Sequence, residues 1–68
     1  MNEDVLNMSL RKFLKKVGIT AQRAIEEAVR EALAAGTLKG NEKLAAEARV
    51  SLGGTTLDLR IDGEIELE

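Results

Sequence analysis

Histidine, cysteine, proline, tryptophan and tyrosine are all missing from this 68-residue chain, and phenylalanine occurs once. Each gap closes off a route to function or to stability. Without Cys there is no disulfide, and without Cys or His the ordinary structural zinc ligands are gone. The same gap removes the commonest acid–base and thiol machinery of enzymes. The chain therefore reads as non-enzymatic, with no catalytic residue set, no metal site and no cofactor. The lone aromatic, Phe13, cannot make the stacking platform that holds single-stranded nucleic acids. No apolar run is long enough to cross a bilayer. The start, M-N-E-D, is acidic where a secretory signal would be basic and then apolar. A cytoplasmic location with no membrane partner is the expectation, and a cysteine-free composition fits a reducing compartment.

The rest of the composition belongs to a folded protein. Hydrophobic residues make up 44% of the chain and there is no low-complexity tract. A domain this small seldom stabilises itself by more than a few kcal/mol, so self-association, a dimer included, is expected alongside an unidentified protein partner. Charge is unevenly placed. Residues 1–40 carry seven Lys/Arg against five Asp/Glu, and residues 41–68 carry three against seven. That asymmetry leaves nucleic acid as a partner for the first half only.

The most legible stretch is Thr20–Gly36, T-A-Q-R-A-I-E-E-A-V-R-E-A-L-A-A-G. Ala21, Ile25, Ala28, Val29, Ala32 and Leu33 fall at the spacing of one buried helical face. Thr20 can cap its start, and Gly36 can take the left-handed conformation that ends it. An earlier helix is expected from Asn2, with Glu3 and Asp4 suited to the positive end of the dipole. Its face is Leu6, Leu10, Phe13, Leu14 and Val17, and Gly18 closes it. Gly18-Ile19-Thr20 then reads as a tight joint between two neighbouring helices. A small ridge (Ala21, Ala24, Ala28, Ala32 and Ala35) would receive the first helix, and Ile25, Val29 and Leu33 would meet a sheet. Arg23 with Glu27 and Glu26 with Arg30 are i,i+4 pairs on the outer face, worth tenths of a kcal/mol each.

Beyond a loop at 37–43, in which Leu38 tucks in, the period changes. Leu44, Ala46, Ala48, Val50 and Leu52 alternate with polar residues, Ala45 excepted, as in a half-buried strand, although residues 41–47 could also start a short helix. Gly53-Gly54 signals a two-residue hairpin turn. It would pair Val50 with Leu57 and Ala48 with Leu59, and on the other face Arg49 with Asp58 and Glu47 with Arg60. A three-residue connection with Gly63 left-handed would add a third strand, pairing Leu59 with Ile65 and Arg60 with Glu64. The expected fold is α+β (ααβββ): two N-terminal helices on one face of a three-stranded antiparallel meander.

Two surfaces carry functional expectations. Val5 and Met8 lie off the apolar face of the first helix, among Lys12, Lys15 and Lys16. They either cover a frayed end or form, with those lysines, a contact patch for an acidic or lipid-like partner. Alternatively the helix–glycine–helix stretch Phe13–Arg23 is a helix-turn-helix with a later hairpin as its wing. Thr20, Gln22 and Arg23 would then contact nucleic acid, with Lys12, Lys15 and Lys16 on phosphates. Glu26, Glu27 and Glu31 on the same helix oppose that reading. Asp58, Asp62, Glu64 and Glu66 lack the spacing of a calcium loop and read as a solvated acidic edge.

The run N-M-S-L-R-K-F-L-K-K-V-G-I-T at Asn7–Thr20 resembles a family of small bacterial proteins classed as a domain of unknown function. Gln22-Arg23, Ala28-Val29-Arg30, Leu38-Lys39-Gly40 and the ending I-D-G-E-I-E-L-E share the resemblance, which spans nearly the whole chain. It implies a bacterial source and a compact α+β domain, and it brings no activity, cofactor or catalytic residue.

Overall fold

The computed structural model describes all residues from Met1 to Glu68. Its elements, in chain order, are one helix, α1 (Glu3–Ala35), and two strands, β1 (Lys43–Ser51) and β2 (Asp58–Glu66). The chain divides into two units, Met1–Thr37 and Leu38–Glu68.

In the first unit the expected pair of helices is a single helix of 33 residues, about 50 Å long at 1.5 Å per residue. Its start is as read: the Asn2 side chain accepts hydrogen bonds from the backbone N–H groups of Asp4 (3.0 Å) and Val5 (3.2 Å). Its end is as read too. Gly36 is left-handed at φ 81°, and the N–H groups of Gly36 and Thr37 donate to the carbonyls of Leu33 and Ala32 at 3.2 and 3.0 Å. What fails is the joint. Gly18, Ile19 and Thr20 are helical, and Gly18 is not among the glycines with positive φ.

The physical reason lies in the phase of the apolar residues. Leu14, Val17, Ala21 and Ile25 follow at steps of three, four and four, so the stripe passes through Gly18 without a change of face. Leu6, Val17 and Ala28 are related by eleven residues, as are Leu10, Ala21 and Ala32, a repeat close to the helical period that keeps a long stripe nearly straight. A glycine inside a helix costs about 1 kcal/mol relative to alanine. Breaking the helix there would forfeit several backbone hydrogen bonds instead. With no second helix, the alanine ridge has no helix within its own unit to receive.

The second unit is a two-stranded antiparallel ribbon, not a three-stranded meander. Residues 43–47 are strand, so the helical option for 41–47 is not taken. Val50 faces Leu59 and Ala48 faces Ile61, a shift of two residues from the expected pairing. The cause is a longer connection. The Thr55 N–H and hydroxyl both donate to the Leu52 carbonyl, at 3.2 and 2.7 Å, and Gly54 takes φ 80°. The Leu57 N–H then donates to the Thr55 hydroxyl at 3.3 Å, which delays the ladder until Asp58. An even shift leaves every side chain on its expected face.

The second turn does not exist either. Gly63 sits within β2 opposite Ala46, and Ile65 faces Leu44. Leu59, Ile61, Gly63 and Ile65 keep strict alternation through that glycine, so one strand serves where two were expected. Ahead of β1, the Glu42 carboxylate accepts from the backbone N–H groups of Lys39 (2.7 Å), Gly40 (2.9 Å) and Asn41 (3.2 Å). These bonds, that from Lys39 foremost, hold its pKa below the ordinary glutamate value. Leu38 is half-buried.

Candidate functional site

No residue of the chain is buried. A single helix has no interior, and a two-stranded ribbon has none either, so each unit carries an apolar face that it cannot cover by itself. On α1 that face is the stripe Leu6, Leu10, Phe13, Leu14, Val17 and Ile25, all exposed, with Phe13 at 53% and Leu14 at 56%. On the ribbon, Leu44, Ala46, Ala48 and Val50 of β1 stand on one face with Leu59, Ile61 and Ile65 of β2. Both stripes were legible in the periodicity. Hydropathy spacing identifies a face and says nothing of what lies against it.

The opposite side of α1 gathers the expected contact patch. Val5 and Met8 are 59% and 72% exposed. With Ser9 and Lys12 they line a shallow, open hollow of about 410 Å³. Lys15 and Lys16 continue the same side of the helix at about 100° per residue. All five residues of the patch therefore share one side, although two apolar side chains make a small anchor.

The helix-turn-helix residues fare differently. Thr20, Gln22 and Arg23 lie in the middle of a continuous helix, spread around its circumference. No turn sets them at the front of a recognition helix. The Gln22 side-chain amide donates to Glu26 at 3.0 Å, and Glu26 lies 3.9 Å from Arg30, so Glu26 engages neighbours on its own helix.

On the ribbon's polar face the charges pair along each strand and once on a diagonal between them. Arg49 stands directly opposite Arg60, and Glu47 opposite Asp62. Glu47 lies 3.8 Å from Arg49 and 3.5 Å from Arg60, while Arg60 donates to Asp62 at 3.0 Å. The expected Glu47–Arg60 pair thus forms, on a diagonal. Asp58, Asp62, Glu64 and Glu66 share this face, and no group of three acidic side chains converges to hold a metal ion. No helix is long and apolar enough to cross a membrane.

What these features define is a small α+β chain with two uncovered apolar faces and no convergent polar site. The model of a family of unknown function (DUF6494) matches residues 1–68, the full length of the chain, and the protein belongs to that family. No curated protein and no solved structure matches it.

Proposed function

We propose that this is a non-enzymatic protein of the bacterial cytoplasm that acts by binding another protein chain through the apolar stripe of α1. The observation that carries the reading is the stripe itself: large apolar side chains from Leu6 to Ile25, none of them buried. Isolated helices in water draw little stability from propensity, and most of it comes from packing an amphipathic face. A contiguous exposed apolar face of this length marks an interaction surface. The absence of His and Cys supports the non-enzymatic part. The bacterial setting follows the family resemblance, and the cytoplasmic one suits a cysteine-free chain.

The test is photo-crosslinking in the source cells, with a photoreactive side chain placed at Leu14 on the stripe or at Arg23 on the opposite side. Protein adducts are expected from Leu14 and not from Arg23. Adducts from Met8 as well would extend the surface to the Val5–Met8–Lys12 hollow. No protein adduct from Leu14, or adducts lost on nuclease treatment, would overturn the reading.

A further inference from the structure

We infer that the stripe of α1 is covered by the α1 stripe of a second copy, the two helices running antiparallel. This rests on the reading that the stripe is a protein-binding face, and it names the occupant.

Bulk and charge are both distributed unequally along the helix, and the two inequalities agree. The first half of the stripe is large: Leu6, Leu10, Phe13, Leu14 and Val17. The second half is mostly small, with Ala21, Ala24, Ala28 and Ala32 and one large residue, Ile25. An antiparallel pair with its two-fold axis between Val17 and Ala21 sets Leu14 opposite Ala24, Leu10 opposite Ala28 and Leu6 opposite Ala32. These layers and that of Val17 with Ala21 each join a larger side chain to a small one, as close packing requires, and Phe13 meets Ile25. A parallel pair would stack Phe13 and Leu14 on their own copies and leave alanine on alanine further along.

Charge follows the same direction. Residues 11–16 beside the large half carry Arg11, Lys12, Lys15 and Lys16 and no carboxylate. Residues 26–31 beside the small half carry Glu26, Glu27 and Glu31 against Arg30 alone. The antiparallel arrangement lays the basic segment of one copy along the acidic segment of the other. A parallel pair would instead set basic segment beside basic segment, which disfavours the wrong partner. Full cover of the exposed parts of the six large stripe residues would bury roughly 550 Å² per helix and about 1,100 Å² per pair, at the lower edge of specific interfaces.

The chain has no cysteine, so single cysteines report contacts cleanly. The experiment combines sedimentation equilibrium of the unmodified protein and of Leu14→Glu with disulfide formation by Leu10→Cys and Ala28→Cys, separately and mixed. Circular dichroism checks that each variant remains helical. The expected result is a dimer, a dissociation constant raised at least tenfold by Leu14→Glu, and a disulfide that forms mainly between the two cysteine variants when mixed. Self-linking of Leu10→Cys alone, matched by no mixed product, would overturn the antiparallel pairing. A monomer across the whole concentration range would remove the second copy as occupant. The cellular adducts at Leu14 would still decide separately whether the face binds a protein.

Discussion

Arg49 stands directly across the ladder from Arg60, and the carboxylate of Glu47 reaches both, at 3.8 and 3.5 Å. Like charges set opposite one another weaken a strand pair. Here Glu47 offsets that repulsion for both guanidinium groups, and Asp62, 3.0 Å from Arg60, does so for the second. Removing Glu47 should expose the repulsion. Glu47→Gln is expected to destabilise the ribbon by about 0.5 kcal/mol, since these groups are well exposed and screened. Faster amide exchange in β1 and β2, fading at high salt, is the measurement; salt-independent exchange would contradict it.

Gly18 tests the continuity of the helix. A Cβ at that position meets nothing within 4 Å in the chain, and alanine is favoured over glycine in a helix interior by about 1 kcal/mol. Gly18→Ala should therefore raise helicity and thermal stability by up to that amount. A loss of stability would mean either that residues 18–20 turn after all or that a partner helix approaches at Gly18.

Gly63 tests the continuity of the second strand in the same way. It has no positive φ and open space at its Cβ. Strand propensity spans about 1 kcal/mol, with glycine near the bottom and β-branched residues near the top. Gly63→Val should strengthen the ribbon, read as slower amide exchange around Ala46. A left-handed turn at Gly63 would give the opposite sign.

Glu42 sets a dependence on acid. Its pKa is lowered because its carboxylate accepts backbone hydrogen bonds, from Lys39 and Gly40 above all. A depressed carboxyl pKa stabilises the folded form fully above the unfolded value, and that contribution is lost as pH falls through the folded one. Carbon NMR should show Glu42 titrating lower in the native chain than in urea. Protection of the Lys39 and Gly40 amides should fall over the same range. Glu42→Gln should abolish that pH dependence.

The sequence spoke clearly where a residue had a single physical use. Asn2 as a helix start, Gly36 as a left-handed stop and the alternation from Leu44 to Val50 all stand in the structure. The two failed joints share a cause. Gly18 and Gly63 were read as breaks, yet glycine permits a turn without demanding one. The unbroken phase from Val17 to Ala21, and from Ile61 to Ile65, was the better signal. The register shift across Gly53-Gly54 was not legible, because it depends on the Thr55 hydroxyl reaching Leu52. Of the candidate surfaces, the Val5–Met8–Lys12 side was found by its misfit to the stripe. The stripe was found as well and assigned to an interior.

Phe13 is the sole aromatic ring in the molecule, and it is half-exposed on the stripe. Every ring-current shift in the methyl spectrum must therefore originate in that one side chain. Ile25 lies twelve residues further along the same rigid helix, about 18 Å away, too far for its own ring to reach. An upfield Ile25 methyl in the purified protein would be the mark of a neighbouring molecule's phenylalanine, readable from an ordinary proton spectrum without any label.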